Sequence, residues 1–255
     1  MKKNLEIHLA DTCNLNCSFC SHFSPIAEEK YLDPIQFERN ISSINNNVLN
    51  QFNTIRLLGG EPLLNKHIKE IIKITRKYFN NYIQIVTNGI LLLKQDDEFF
   101  QICIDNKICI SITEYPIHLD YNDIKHKLKT NYPNLLLNLY REGNKFYPVK
   151  IDVNGTQNKY ERYKKCSIIK FGCMQLVGTK LYVCALGAYM KYFNKKYNYD
   201  IKDNEYLDLS NIINFNDIET WYNKSKDICK YCMYERNNPI SWTPYNINSS
   251  NYIYD

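Results

Sequence analysis

Three cysteines fall within eight residues in Thr12-Cys-Asn-Leu-Asn-Cys-Ser-Phe-Cys-Ser-His22, spaced C-x3-C-x2-C. Thiols this close point to a metal centre. A cubane [4Fe–4S] cluster takes one cysteine per iron. Three close thiolates therefore leave one iron without a protein ligand, open to a small chelating molecule. The competing set is a structural zinc site in which His22 joins Cys13, Cys17 and Cys20. Gly59-Gly-Glu-Pro62 offers bare backbone that a ligand can approach, and Glu61 is a carboxylate able to accept hydrogen bonds from an ammonium group. Taken alone, Gly59-Gly60 and Asn88-Gly89 read as ordinary turns.

The chain has ten cysteines, and a second set lies in its last third. Cys173-x10-Cys184 is followed, after 44 intervening residues, by Cys229-x2-Cys232. Two distant pairs that converge in space complete four sulfur ligands, and the spacing leaves zinc and iron–sulfur both open. Cys166, seven residues before Cys173, is an alternative ligand or a free thiol. Cys103 and Cys109 are flanked by isoleucines and are assigned to the core.

Strands and helices must bring these groups together. Strands are expected over 5–10, 54–58, 82–86, 107–113, 135–140 and 146–153, from β-branching and alternation. Helices are expected over 34–49 (Asp33 as N-cap, Pro34 at the first position), 66–79, 96–105 and 122–132. Strands alternating with helices imply right-handed βαβ units and a parallel sheet. The fold class is α/β, a partial (β/α)6 TIM-like barrel with a small carboxy-terminal cysteine-bearing α+β appendage. The division is expected near 158/159. In the appendage a hairpin turns at Gly178-Thr179, helices follow over 188–197 and 216–225, and a polar linker separates them. Loops after strands form one rim of such a barrel. Topology thus gathers the cysteine loop, Gly59-Gly-Glu-Pro62, Thr87-Asn-Gly89 and the end of the fourth strand, with Ser111 and Glu114 as candidates there.

Cys13-x3-Cys17-x2-Cys20, with Phe19 before the last cysteine, resembles the radical S-adenosylmethionine (radical SAM) signature, and Gly59-Gly-Glu-Pro62 is similar to that family's GGE motif. The resemblance covers about residues 5–150. It implies that the three cysteines hold a [4Fe–4S] cluster whose open iron chelates the methionine part of SAM. It implies that Gly59, Gly60 and Glu61 bind the amino group, that Phe19 packs near the adenine, and that Asn88, Ser111 and Glu114 belong to the cofactor site. Reductive cleavage would then release a 5′-deoxyadenosyl radical that takes a hydrogen atom from substrate, the electron coming from a donor such as flavodoxin or ferredoxin. Cysteine, Gly-containing hairpin, second cysteine and later pair resemble the family's twitch domain, the short relative of SPASM. Five residues intervene between Gly178 and Cys184 where the usual pattern has four. That likeness implies an auxiliary [4Fe–4S] cluster on Cys173, Cys184, Cys229 and Cys232. Such a cluster accepts an electron from a substrate radical or binds substrate at an open iron, and a full cysteine set favours the first.

Composition excludes several classes. The net charge of +5 is scattered and forms no basic stripe, so no nucleic-acid partner is expected. No segment approaches a membrane span of about 18 apolar residues. Glu6 and His8 interrupt the first apolar run, so no signal peptide is read and a reducing, cytoplasmic setting is expected. Only twelve residues precede Cys13, which leaves no peptide-recognition domain there and favours a small-molecule substrate, a sugar or polyol among them. A maturase of a ribosomal peptide and a zinc-binding interaction module are the alternatives. Tyr115, His118 and the aromatic tail with Trp242 are further candidates around the site.

Overall fold

The computed structural model describes residues 3–140, 145–202, 204–234, 238–246 and 252–254. Its main sheet begins with β1 (Asn4–Ala10), β2 (Thr54–Gly59), β3 (Tyr82–Thr87), β4 (Ile108–Thr113) and β5 (Leu136–Tyr140), all parallel. β6 (Lys145–Phe146) stands outside it. β7 (Cys173–Val177) pairs parallel with β1, and β8 (Lys180–Tyr182) and β9 (Leu207–Asp208) follow antiparallel. The order is β5-β4-β3-β2-β1-β7-β8-β9. This is the α/β, partial TIM-like architecture expected, but its sixth parallel strand is β7. The expected sixth strand over 146–153 is not in this sheet. β6 pairs instead with β10 (Ile240–Ser241), and Ile151 makes single bridges to Cys232 and Ile253.

Helices cover the outer face: α1 (Pro34–Ser42), α2 (Asn46–Leu49), α3 (Ile68–Tyr78), α4 (Asp97–Asp105) and α5 (Tyr121–Asn131). The single helix expected over 34–49 is two. Asn45 accepts from the Asn47 amide and starts a new helix, as Asn does when it competes with the backbone. Asp33, Asp96 and Asp120 cap α1, α4 and α5 by accepting from first-turn amides. Apolar residues at helical spacing, such as Ile68, Ile71 and Ile72 of α3, pack on Leu5, Ile7 and Leu9 of β1 and Ile55 and Leu57 of β2 in one core. Cys103 belongs to that core, and Cys109 is buried.

The carboxy-terminal part contributes α6 (Lys159–Lys165), α7 (Ser167–Phe171), α8 (Ala185–Tyr197) and α9 (Phe215–Tyr222). Helix α8 is buried on most sides and forms a second core with Val149, Ile151, Tyr245 and Tyr252. Because β7 belongs to the main sheet, this part is built onto the barrel through β1. Among the described residues no helix is long and apolar enough to cross a membrane.

Candidate functional site

The loops that leave β1 to β4 lie at one end of the sheet. Between Asp11 and His22 the chain coils sharply, with Asn16 at φ 57° and Phe19 at φ 56° in the left-handed region. Cys13, Cys17 and Cys20 thereby line one cavity of about 140 Å³, together with Gly60, Asn88 and Tyr115. Burial pushes the Cys13 thiol up to about 11 and Cys17 to about 12, neighbouring thiols adding to both shifts, and burial raises Cys20. Such thiols become thiolates only against a strong positive charge, which a bound iron cluster or metal provides. The donor set therefore fits a cluster held by three sulfurs.

The Gly-Gly pair also has a duty within the protein. A Cβ on Gly60 would lie 1.9 Å from the Thr12 carbonyl oxygen, and one on Gly59 (φ 141°) 2.1 Å from that of Ala10. The Gly60 and Glu61 amides donate to these same oxygens at 2.8 and 3.0 Å. What approaches the glycines is the backbone of the cysteine loop, which they seat against β2. Glu61 is fully buried behind the cavity. Its carboxylate accepts from Leu63 N at 3.1 Å, Thr87 Oγ1 at 2.7 Å and Asn88 N at 2.9 Å, while burial pushes its pKa up to about 7. Glu61 thus ties the loop after β2 to the loop after β3. Three of its acceptor sites are taken up by the protein itself.

Other expected contacts sort unevenly. Gly59, Gly60 and Asn88 line the cavity, and Asn88 Nδ2 donates to Asn14 Oδ1 at 2.7 Å. Ser111 is buried within the sheet and accepts from Gln84 at 3.1 Å. Thr113 and Tyr115 form the wall where Ser111 and Glu114 were expected, and the Glu114 amide is tied to Tyr140 of β5. Phe19 is half-buried outside this wall, with the Lys150 ammonium 5.9 Å from its ring centre. His118 is exposed.

Sequence reasoning missed a buried polar chain. His8 Nδ1 lies 2.8 Å from Asp11 Oδ1, and His8 Nε2 lies 2.7 Å from His22 Nδ1. Tyr192 of α8 donates to the other Asp11 oxygen, and Tyr189 stacks on His8 with centroids 3.8 Å apart. The carboxylate orients His8, which accepts from His22, and His22 faces the cysteine cavity. Burial lowers the pKa of both histidines, that of His22 to about 3, so they are neutral. The signal available was His8 alternating with the buried apolar residues of β1 and pointing inward, but its partners come from the loop and α8.

The second cysteine set is Cys166, Cys184, Cys229 and Cys232, which line one small cavity of about 30 Å³ with Arg162 and Tyr234. Cys166 stands at the amino end of α7 and Cys184 at that of α8. Cys229 and Cys232 close a 3-10 turn, Asp227–Tyr231, held to the segment after β6 by Asp152 N donating to Tyr231 O at 2.9 Å. Cys173, expected in this set, lies elsewhere. It opens β7 opposite Asn4, at the far end of β1 from the cysteine loop, and takes a hydrogen bond from Arg56 Nη1 at 3.4 Å beside Glu6. Ladder pairing with β1 fixes its place, so Cys166 stands with the other three instead. Among the described residues no group of three His, Cys, Asp or Glu is drawn close enough for a single metal ion. Sulfurs of a cubane each hold a different iron and stand further apart than those around one ion.

Residues 7–129 match the Radical SAM superfamily. Curated relatives include a probable GTP 3′,8-cyclase of Thermoplasma volcanium, 36% identical over 91 residues, covering 35% of this chain and 26% of that protein. Another is a probable GTP 3′,8-cyclase of Pyrococcus abyssi, 29% identical over 153 residues, covering 59% of this chain and 46% of that protein. The matched stretch spans less than half the length of these relatives. Among solved structures, BtrN in complex with AdoMet and 2-DOIA has the same fold, with a TM-score of 0.57 at 14% identity over 91% of this chain and 93% of that one. The likeness to the radical SAM superfamily thus covers residues 7–129, just under half of the chain.

Proposed function

We propose that this chain is a radical SAM enzyme that takes a hydrogen atom from a small-molecule alcohol, a sugar or polyol, on the way to its oxidation. The observation that carries the reading is the sorting of seven cysteines into three around one cavity and four around another. Residues 1–158 would carry the SAM chemistry and 159–255 the auxiliary cluster. When bound, the cluster on Cys13, Cys17 and Cys20 supplies the electron that cleaves SAM to a 5′-deoxyadenosyl radical. The chain's own residues prepare that site. Gly59, Gly60 and Glu61 fix the cysteine loop, Asn88 and Tyr115 bound the cavity, and neutral His22 faces it. A complete cysteine set on Cys166, Cys184, Cys229 and Cys232 leaves no iron open to substrate, which favours electron acceptance. The likeness to BtrN, solved with AdoMet and 2-DOIA, supports a small molecule.

Anaerobic reconstitution should give brown protein with about eight irons per chain, two cubanes' worth. It should form 5′-deoxyadenosine from SAM when reduced by dithionite or a flavodoxin-type donor. Colourless protein holding stoichiometric zinc would sink the reading. A second substrate reading comes from the curated relatives: 29% identity over 153 residues to a probable GTP 3′,8-cyclase favours GTP. Faster 5′-deoxyadenosine formation on adding GTP, with GTP consumed, would establish it.

A further inference from the structure

A strap from the carboxy-terminal part lies along the cysteine loop. Ser18 N donates to Thr243 O at 2.9 Å, Ser18 Oγ to Pro244 O at 2.8 Å and Tyr245 N to Asn16 O at 2.8 Å, and Cys17 bridges Pro244. Upstream, β10 anchors the strap on β6. These bonds hold Trp242 over the loop, its ring edge-on to Tyr115 with centroids 6.4 Å apart. The indole N–H is buried and has no hydrogen-bond partner among the described residues. Cys17, paired through the strap at Pro244, is the cysteine whose thiol this N–H helps to hold down in pKa.

A buried N–H left without a partner is costly, so the position needs an acceptor. A neutral thiol accepts weakly, and an anionic thiolate on a cluster accepts well. We propose that Trp242 is a redox-tuning residue, its indole N–H donating to Cys17 Sγ and raising the reduction potential of a [4Fe–4S] cluster on Cys13, Cys17 and Cys20. This rests on the functional reading above. The step is the transfer of one electron from an external one-electron donor, which is oxidised, to the cluster, which is reduced; no proton moves and no covalent bond changes. Reduction adds negative charge to the sulfurs. A donor aimed at one of them stabilises the reduced state more than the oxidised state and makes that electron easier to accept.

The test uses the full chain, anaerobically reconstituted and titrated with dithionite and mediators while the reduced-cluster signal is followed by electron paramagnetic resonance. The signal that shifts on adding SAM identifies the cluster with the open iron. Trp242→Phe should move its midpoint to a more negative potential with iron content unchanged, and Trp242→His, which keeps a ring N–H, should recover part of the shift. An unchanged midpoint in Trp242→Phe overturns the proposal. A second measurement needs no variant. Wild-type protein labelled with 15N-tryptophan should show nitrogen hyperfine coupling on the SAM-responsive signal, and the absence of coupling overturns the proposal. If no signal responds to SAM, the functional reading itself fails and takes this inference with it.

Discussion

The two cysteine sets are built in opposite ways. Cys13, Cys17 and Cys20 lie on one loop, coiled by left-handed residues and pinned by the glycines after β2. Cys166, Cys184, Cys229 and Cys232 come from the starts of two helices and from a distant turn, and only tertiary packing brings them together. The first set is local, so its spacing is its geometry. The second is assembled, so its membership depends on how β7, α7 and α8 pack. The first faces a cavity with room for a ligand, and the second a small one.

The widest separation between the sets should appear in catalysis. Replacing Cys13, Cys17 and Cys20 by alanine should abolish 5′-deoxyadenosine formation. Replacing Cys184, Cys229 and Cys232 should leave SAM cleavage measurable while stopping oxidation of substrate; equal loss from both would erase the distinction. Next comes membership of the second set. Cys166→Ala should lower iron by about four atoms per chain, one cubane's worth, and Cys173→Ala should leave it unchanged. The reverse result, read by iron analysis, would restore Cys173 as a ligand.

The pinned loop can be broken through its glycines. Gly60→Ala forces a Cβ to 1.9 Å from the Thr12 carbonyl, a backbone atom that cannot turn away. It should cost about 3 kcal/mol or more by thermal denaturation. Gly187→Ala in α8 meets only side-chain atoms at 3.8 and 3.9 Å, and should be neutral or stabilising by up to about 1 kcal/mol. Similar losses in both would show that the close approach does not hold the loop.

The smallest effect is a pH dependence. Glu61 has its pKa raised by burial from 4.5 to about 7. The folded state therefore binds this proton more tightly than the unfolded state. The stability it contributes is full below about 4.5, declines as pH rises, and is lost above about 7. The span is at most about 3 kcal/mol. Buried His8 and His22 act in the opposite sense, so the informative quantity is the difference between wild type and Glu61→Gln in denaturant titrations of metal-free protein. That difference should change between about pH 4.5 and 7 and be flat above. A flat difference throughout would remove the buried carboxylate from the loop's support.

Most of the barrel was legible in the sequence because β1 to β5 and their covering helices are written in local patterns: β-branched runs, helical spacing and aspartate caps. The sixth strand was not. Residues 146–153 have strand-like composition, but the place beside β1 went to β7, whose approach depends on α6 and α7. Cys173 was misread for the same reason. Its spacing to Cys184 suits a ligand pair, yet ladder pairing fixes it opposite Asn4. The Gly-Gly-Glu loop was legible as special, but what crowds its glycines is the cysteine loop's backbone, with Thr12 48 positions from Gly60. The His8–His22 chain and the Trp242 strap join residues far apart along the chain, and no local pattern announces such contacts.

The account stands on two independent metal centres, one per cysteine set, and iron analysis of the Cys13→Ala, Cys17→Ala, Cys20→Ala triple variant tests that most directly. After anaerobic reconstitution the folded variant should keep about four irons per chain, one cubane's worth, and show no spectral change on adding SAM. Retention of about eight irons with a SAM response, or folded protein with no iron at all, would contradict it.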